Sequence, residues 1–395
     1  MAVHASSGSA PAGWYARPAA RSWTCAPPSG EAAGFHAGIP GYRPTPLVEV
    51  APLAGELGVG RVFVKDESSR LGLPAFKVLG ASWAVCRVLA ARAGGGKAVA
   101  SWAGLCELAG GLGPVRLVTA SDGNHGRAVA RMAGLLGLGA DVFLPEAAGA
   151  AAAAAVGTEG AAVTVVAGSY DQAVRQAAQA AEAAPNSVLV QDTGWPGYEA
   201  VPGWIVEGYA TLFAETDRQL RDAGTGPAGL VVVPVGVGSL AQAAVVHHRS
   251  RSAGRPAALL SVEPEAAACV LASLTARRLT SVAAVVTVMA GLNCPTPSSL
   301  AWPYLRDGLD AAVAVGDAVA SRAVGDLAGL GISSGPSGAA SLAGARAALT
   351  GGAAERRAAL DISGDSTVVL VSTEGRPASN GEEEAARLAA TSSSC

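Results

Sequence analysis

The sequence predicts an α/β protein of two lobes, each a mostly parallel sheet flanked by helices. Three observations predict it. Short apolar runs alternate with stretches of helical spacing along most of the chain, the repeat that builds parallel sheet with helices on both faces. One run, Leu230-Val231-Val232-Val233-Pro234, is continuously apolar, as suits a strand buried on both faces. The length of 395 residues exceeds what a single core organises, so two packed lobes are expected.

The elements follow in order. Residues 1–40 are rich in Pro, Gly, Ser and Ala without periodicity and read as an irregular arm. Arg61-Val62-Phe63-Val64-Lys65 reads as a strand, and 78–91 has helical spacing with small residues at its start. Strands are expected at 115–119, 141–144, 163–166 and 187–191, with helices over 126–136 and 170–184. Residues 146–156 are almost pure alanine, which favours helix but offers little to a core, so a thin surface helix is expected. The second half continues with a helix over 241–247 and strands at 258–262, 312–315 and 367–371. The division that results is a large domain from 41–85 and 200–395, and a small domain from 86–199.

Composition narrows the chemistry. A net charge of -3 and no long basic stripe argue against nucleic acid and for small-molecule partners. No apolar run approaches the ~20 residues of a membrane helix, and the start lacks the order of a secretory signal, so a soluble, cytoplasmic protein is expected. Cys25, Cys86, Cys106, Cys269, Cys294 and Cys395 show no C-x-x-C spacing, which points away from a metal site and from a dense disulfide framework. His247 and His248 are adjacent, lack zinc-helix spacing, and read as a solvated helix end. Lysine occurs only as Lys65, Lys77 and Lys97.

Three segments carry candidate chemistry. Pro74-Ala75-Phe76-Lys77 sets a lysine after an apolar tripeptide, where desolvation would lower its pKa toward nucleophilic neutrality. Ser121-Asp122-Gly123-Asn124-His125-Gly126 falls where a strand turns into a helix N-terminus, an anion-binding position. Gly236-Val237-Gly238-Ser239-Leu240 follows a buried strand, and its backbone N–H groups can wrap a phosphate. It lacks the third glycine of the dinucleotide fingerprint, so a phosphate monoester fits better. On the residues alone, Lys77 also reads as an exposed helix-start lysine, Asp122 as an N-cap and Asp192 as an Asx-turn residue.

Taken in order with Lys65-Asp66-Glu67-Ser68, these segments resemble the fold-type II pyridoxal-phosphate enzymes, the group of threonine and serine dehydratases and tryptophan synthase β. Gln191-Asp192-Thr193-Gly194-Trp195, Gly197-Tyr198-Glu199, Gly208-Tyr209-Ala210-Thr211 and Met289-Ala290-Gly291-Leu292-Asn293-Cys294 extend the resemblance toward the diaminopropionate ammonia-lyases, over residues 42–375. The resemblance implies pyridoxal phosphate carried by Lys77 as a Schiff base. Asn124 would hydrogen-bond the cofactor's phenolic oxygen, Gly236, Val237, Gly238 and Ser239 would hold its phosphate, and Ser372 would face its pyridine nitrogen. A hydroxyl there does not force that nitrogen to be protonated. Asp122 would be a second base opposite Lys77, and Asp192 would contact a substrate β-ammonium. The implied reaction is α,β-elimination of D- or L-2,3-diaminopropionate to pyruvate and ammonia, in a homodimer. Cys269 and Cys294 match positions where the family can carry a cysteine pair.

Two departures stand out. Gly335-Pro336-Ser337-Gly338-Ala339 replaces the family's Gly-Glu-Ser-Gly-Ala, so an acid expected near the cofactor is missing. Gly194 stands where alanine is more usual. The alternatives are another fold-type II reaction, such as serine or threonine dehydration or β-replacement, and a cofactor-binding protein without turnover.

Overall fold

A computed structural model describes residues 13–94, 99, 101–250, 256–283 and 285–376; Lys97 and Cys395 lie outside the described residues. The strands are β1 (Trp14–Ala16), β2 (Leu47–Glu49), β3 (Arg61–Asp66), β4 (Arg116–Ala120), β5 (Gly139–Pro145), β6 (Ala162–Val166) and β7 (Ser187–Leu189) in the first half. β8 (Leu230–Pro234), β9 (Ala258–Pro264), β10 (Ala311–Val315) and β11 (Thr367–Ser372) complete them. Seven form a sheet in the order β1-β10-β9-β8-β11-β3-β2, and four form a second in the order β6-β5-β4-β7. The small sheet is wholly parallel. The large one is parallel at its centre and edged by antiparallel β1 and β2.

The large sheet is buried on both faces, as its apolar runs require. Phe63, Val231, Val233, Val369 and Val371 face one core, while their alternates Val62, Val64, Leu230, Val232, Val368 and Leu370 face the other. In the alanine-rich helix Gly149–Thr158 only Val156 is buried.

Two readings of the sequence need correction. The arm over residues 1–40 is not irregular where it is described: Trp14, Tyr15 and Ala16 pair with Val313, Ala312 and Ala311, and Glu31–Ala37 is helical. Three residues are too few to show a period, and their partner lies almost 300 positions away, so local pattern carries no signal. His247 and His248 are buried rather than solvated. Nε2 of His247 lies 2.9 Å from an Asp217 carboxylate oxygen, and the Phe213 ring packs on both imidazoles. An aspartate thirty positions earlier supplies the polar partner that a buried ring needs.

The helix Lys77–Arg92 packs on the 23-residue helix Ala200–Asp222 through a glycine crossing. A Cβ on Gly208 would sit 2.4 Å from the Leu79 carbonyl oxygen, and one on Gly80 would sit 2.5 Å from the Tyr209 ring. Neither position has room for a larger residue.

Beneath the loop leading to Lys77 lies a buried charge network. Arg70 pairs with Glu67 at 2.7 Å and with Glu215 at 2.8 Å, and Lys65 reaches Glu215 at 2.8 Å. Thr45 donates to Glu67, and Tyr42 donates to Glu215. Two cations and two anions balance, and hydrogen bonds occupy their remaining sites, which is the condition for burying charge. Burial alone would raise the Glu215 pKa, but Arg70 and Lys65 bring it down to about 2.

Glu215→Gln leaves two cations short of a counter-charge, and should lose about 3 kcal/mol or more in denaturant unfolding followed by tryptophan fluorescence. Because the folded pKa of Glu215 is depressed, its contribution is full above the unfolded value near 4.5 and is lost as pH falls toward 2. The wild-type unfolding midpoint should therefore drop across that window more steeply than that of the variant.

Candidate active site

Each piece of the site is placed by a local device. The Pro74-Ala75-Phe76 segment is stitched to the chain leaving β11: Gly375 N–H donates to the Pro74 carbonyl at 2.8 Å, and Phe76 N–H to Thr373 at 3.3 Å. That fixes Lys77 as the first residue of its helix, with its ammonium in the cavity between the two sheets. At the end of β4, the Ser121 hydroxyl accepts from the N–H groups of Gly123 and Gly126, both at 2.9 Å. Gly123 adopts φ +146 and begins the helix Asn124–Leu135, so Asp122 is freed from capping and faces the cavity.

Asp192 is delivered by its neighbour. The Gln191 carboxamide oxygen takes the Ala120 N–H at 2.9 Å and the Thr119 hydroxyl at 3.1 Å, which ends the β4–β7 ladder and turns the next residue inward. The Asp192 carboxylate then meets Lys77 Nζ at 2.8 Å, the Tyr170 hydroxyl at 3.3 Å and Gln191 Nε2 at 3.2 Å. Burial, the largest single influence, would raise its pKa, but the Lys77 and His125 charges and the hydrogen bonds from Lys77 and Tyr170 together hold it well below the carboxylate range. The same pair reverses the sequence expectation for Lys77. Desolvation disfavours its ammonium, yet Asp192 holds its pKa above the ordinary value.

Asp122 has no such cation in contact. It is exposed to the cavity, but the protein around the mouth desolvates it, the Asp192 charge adds to this against the pull of Lys77, and its pKa is raised to about 7. Two acids on one cavity are thus held in opposite protonation regimes.

The glycine turn forms the opposite wall. A Cβ on Gly236 would sit 3.0 Å from Cys294 Sγ and 3.1 Å from the Gly291 carbonyl oxygen. Gly238 adopts φ +104, and a Cβ there would sit 2.6 Å from Leu305. No side chain caps the helix Ser239–Arg249 that follows, so its first N–H groups remain for an anion. A lysine, a glycine cradle at a helix N-terminus and a polar amide facing one cavity fit pyridoxal phosphate. Asn124, Val237 and Ser239 line the same space. Ser372 does not: it is fully buried and donates to the Ser334 hydroxyl at 2.8 Å, while Thr373 and Glu374 line the wall. Cys269 and Cys294 are both free thiols, the first 3.9 Å from the Gly236 carbonyl oxygen.

Tyr170, Tyr209, Thr373 and Glu374 line the cavity and were not picked out as site residues from the sequence. Pro336 occupies the first turn of the helix Pro336–Leu349, where a missing N–H costs little. The acid absent at that position is supplied from across the turn. Glu374 Oε1 accepts from Ser337 N–H at 3.2 Å, and Oε2 accepts from Asn124 Nδ2 at 2.8 Å. Its pKa is raised, chiefly by burial. A carboxylate directly after a buried strand, in Thr373-Glu374-Gly375, was the available signal.

This cavity is that of a cofactor-dependent enzyme of amino-acid chemistry, and comparison agrees: residues 39–374 match the model of the pyridoxal-phosphate dependent enzyme family. Within that family, the chain belongs with the diaminopropionate ammonia-lyases. It is 36% identical to the diaminopropionate ammonia-lyase of Salmonella typhimurium over 297 residues, 74% of this chain and 73% of that protein. The Escherichia coli enzyme, solved with an aminoacrylate-PLP azomethine reaction intermediate, superposes with a TM-score of 0.77 at 32% identity, covering 90% of each chain. A T.th. threonine deaminase follows with a TM-score of 0.68 at 25% identity, covering 89% of this chain and 98% of that one.

Glu374→Ala removes the acceptor that holds the Asn124 amide. It should weaken retention of added pyridoxal phosphate by about tenfold in equilibrium dialysis, whereas Glu374→Gln should retain more than half of the wild-type affinity.

Proposed function

We propose that the chain eliminates the β-amino group of 2,3-diaminopropionate, releasing pyruvate and ammonia. The observation that carries this reading is Asp192, a buried carboxylate held ionised 2.8 Å from Lys77. A neutral-alcohol substrate would offer such a group a hydrogen bond but no counter-charge, whereas a β-ammonium offers both. Relatives that carry the diaminopropionate ammonia-lyase name support the same substrate.

Pyridoxal phosphate, when bound, withdraws electron density from the substrate Cα. Lys77 would hold it covalently, the turn from Gly236 to Ser239 would hold its phosphate, and Asn124, braced by Glu374, would face its ring. Ser372 stands behind this wall, bonded to Ser334, and is left out of the ring contacts. With Lys77 holding the cofactor, its free ammonium would no longer be the partner of Asp192, and the substrate β-ammonium would take that place. Lys77, freed when the substrate α-amine takes its place on the cofactor, or Asp122 would then take the Cα proton according to the substrate's hand. The β-nitrogen leaves with its bonding pair as ammonia, and hydrolysis of the released enamine gives pyruvate and further ammonia. Tyr170 and Gln191 keep the carboxylate oriented through both occupancies. We further place this activity in a cytoplasmic homodimer. No helix among the described residues is long and apolar enough to cross a membrane, and sedimentation of the holoenzyme tests the dimer.

Purified holoenzyme should release pyruvate from diaminopropionate, read by coupled NADH oxidation, and serine should be a far poorer substrate; absence of pyruvate from both enantiomers overturns the reading. Asp122→Asn should lower turnover of the D isomer by about 10²-fold or more while sparing the L isomer. A base must be unprotonated, so wild-type kcat/KM for the D isomer should fall as pH drops below about 7, with no such limb for the L isomer. Asp192→Asn should raise KM for both isomers more than it lowers kcat.

A further inference from the structure

One polar side chain beside Lys77 has so far been given no role. Tyr209 is fully buried and lines the cavity, yet its hydroxyl has no hydrogen-bond partner. A buried hydroxyl left unsatisfied is costly, so something must justify the phenol in place of phenylalanine.

Its placement is unusually constrained. The ring packs on Phe76, the residue before Lys77, with centroids 4.7 Å apart. It also occupies the space a Cβ on Gly80 would need, one turn after Lys77. The adjacent Gly208 lets the two helices approach until a Cβ there would meet the Leu79 carbonyl oxygen. Glycines on both helices therefore seat this ring against the first turn of the Lys77 helix. The Lys77 ammonium is itself taken by Asp192 at 2.8 Å. The phenol and the carboxylate thus both act on the Lys77 nitrogen, whose charge counteracts the effect of burial on the phenol.

We propose that Tyr209 is a positioning residue for Lys77, its hydroxyl donating to the lysine nitrogen when that nitrogen is neutral. A neutral amine carries a lone pair that Asp192, an acceptor, cannot satisfy; the phenol O–H can. Asp192 favours the ammonium and Tyr209 the free amine, so the pair would hold Lys77 in one place through both protonation states. The part of the proposal that concerns turnover rests on the reading of Lys77 as the cofactor-bearing base.

Tyr209→Phe tests it in two arms. In cofactor-free protein, the pH dependence of Lys77 modification by trinitrobenzenesulfonate, read by mass spectrometry, needs no assumption about reaction. Loss of a donor to the neutral amine should move the midpoint upward by about one pH unit, while the melting temperature stays equal or rises because an unsatisfied hydroxyl is gone. In holoenzyme, kcat for L-diaminopropionate should fall about 10- to 100-fold with KM within about threefold, and the limb of kcat/KM that reports neutral Lys77 should move to higher pH. An unchanged modification midpoint overturns the proposal, and so does a lowered melting temperature, which would make the hydroxyl structural. A shifted midpoint in a protein that releases no pyruvate would uphold the Tyr209–Lys77 contact while overturning the assigned reaction.

Discussion

A carboxylate buried in the wall of a cavity stays ionised only beside a cation, and the site is arranged around that constraint at Asp192. Without a partner it would protonate; with Lys77 at 2.8 Å it remains a strong anion. The surrounding devices serve this contact. Gln191 gives up its place in the ladder to turn Asp192 inward, Tyr170 steadies the second oxygen, and strand-like pairing of Pro74 and Ala75 beside Glu374 and Gly375 fixes where the lysine emerges. Because the same anion can accept either the lysine or a substrate ammonium, one binding site can serve the resting protein and the loaded one.

The deeper charge network bears on this contact from below. Arg70, Glu67, Lys65 and Glu215 tie β3 and the loop after it to the helix Ala200–Asp222. The same helix carries Tyr209 and meets the Lys77 helix at the Gly80 and Gly208 crossing. The loop that delivers Lys77 is therefore held at one end by buried ion pairs and at the other by a helix contact with no space to adjust. This explains why Lys65-Asp66-Glu67-Ser68, which lies outside the cavity, accompanies the catalytic segments.

Much of the architecture was legible because its signals are local. Continuous valine runs, helical spacing and glycine turns each declare themselves within a dozen residues, and Lys77, Asp122, Asn124 and the Gly236 turn sit at the ends of such units. What escaped depends on distant partners. The strand Trp14–Ala16 exists only because β10 pairs with it, and His247 is buried only because Asp217 faces it. Pro336 marked a missing acid, yet no short-range pattern could show that Glu374 lies against the same helix N-terminus. The depressed lysine pKa expected from an apolar approach was wrong for a similar reason, since its decisive neighbour is 115 positions away.

The two walls of the cavity come from different sheets. Lys77, the phosphate cradle and Glu374 adjoin the seven-stranded sheet, whereas Asp122, Asn124, Tyr170 and Asp192 follow strands or loops of the four-stranded one. The cavity is thus lined by separate stretches of chain, and the proposed function draws on both. In the proposed reading, a change of substrate could be drawn from the segment that carries Tyr170, provided that the β4 turn with Asp122 and Asn124 is kept.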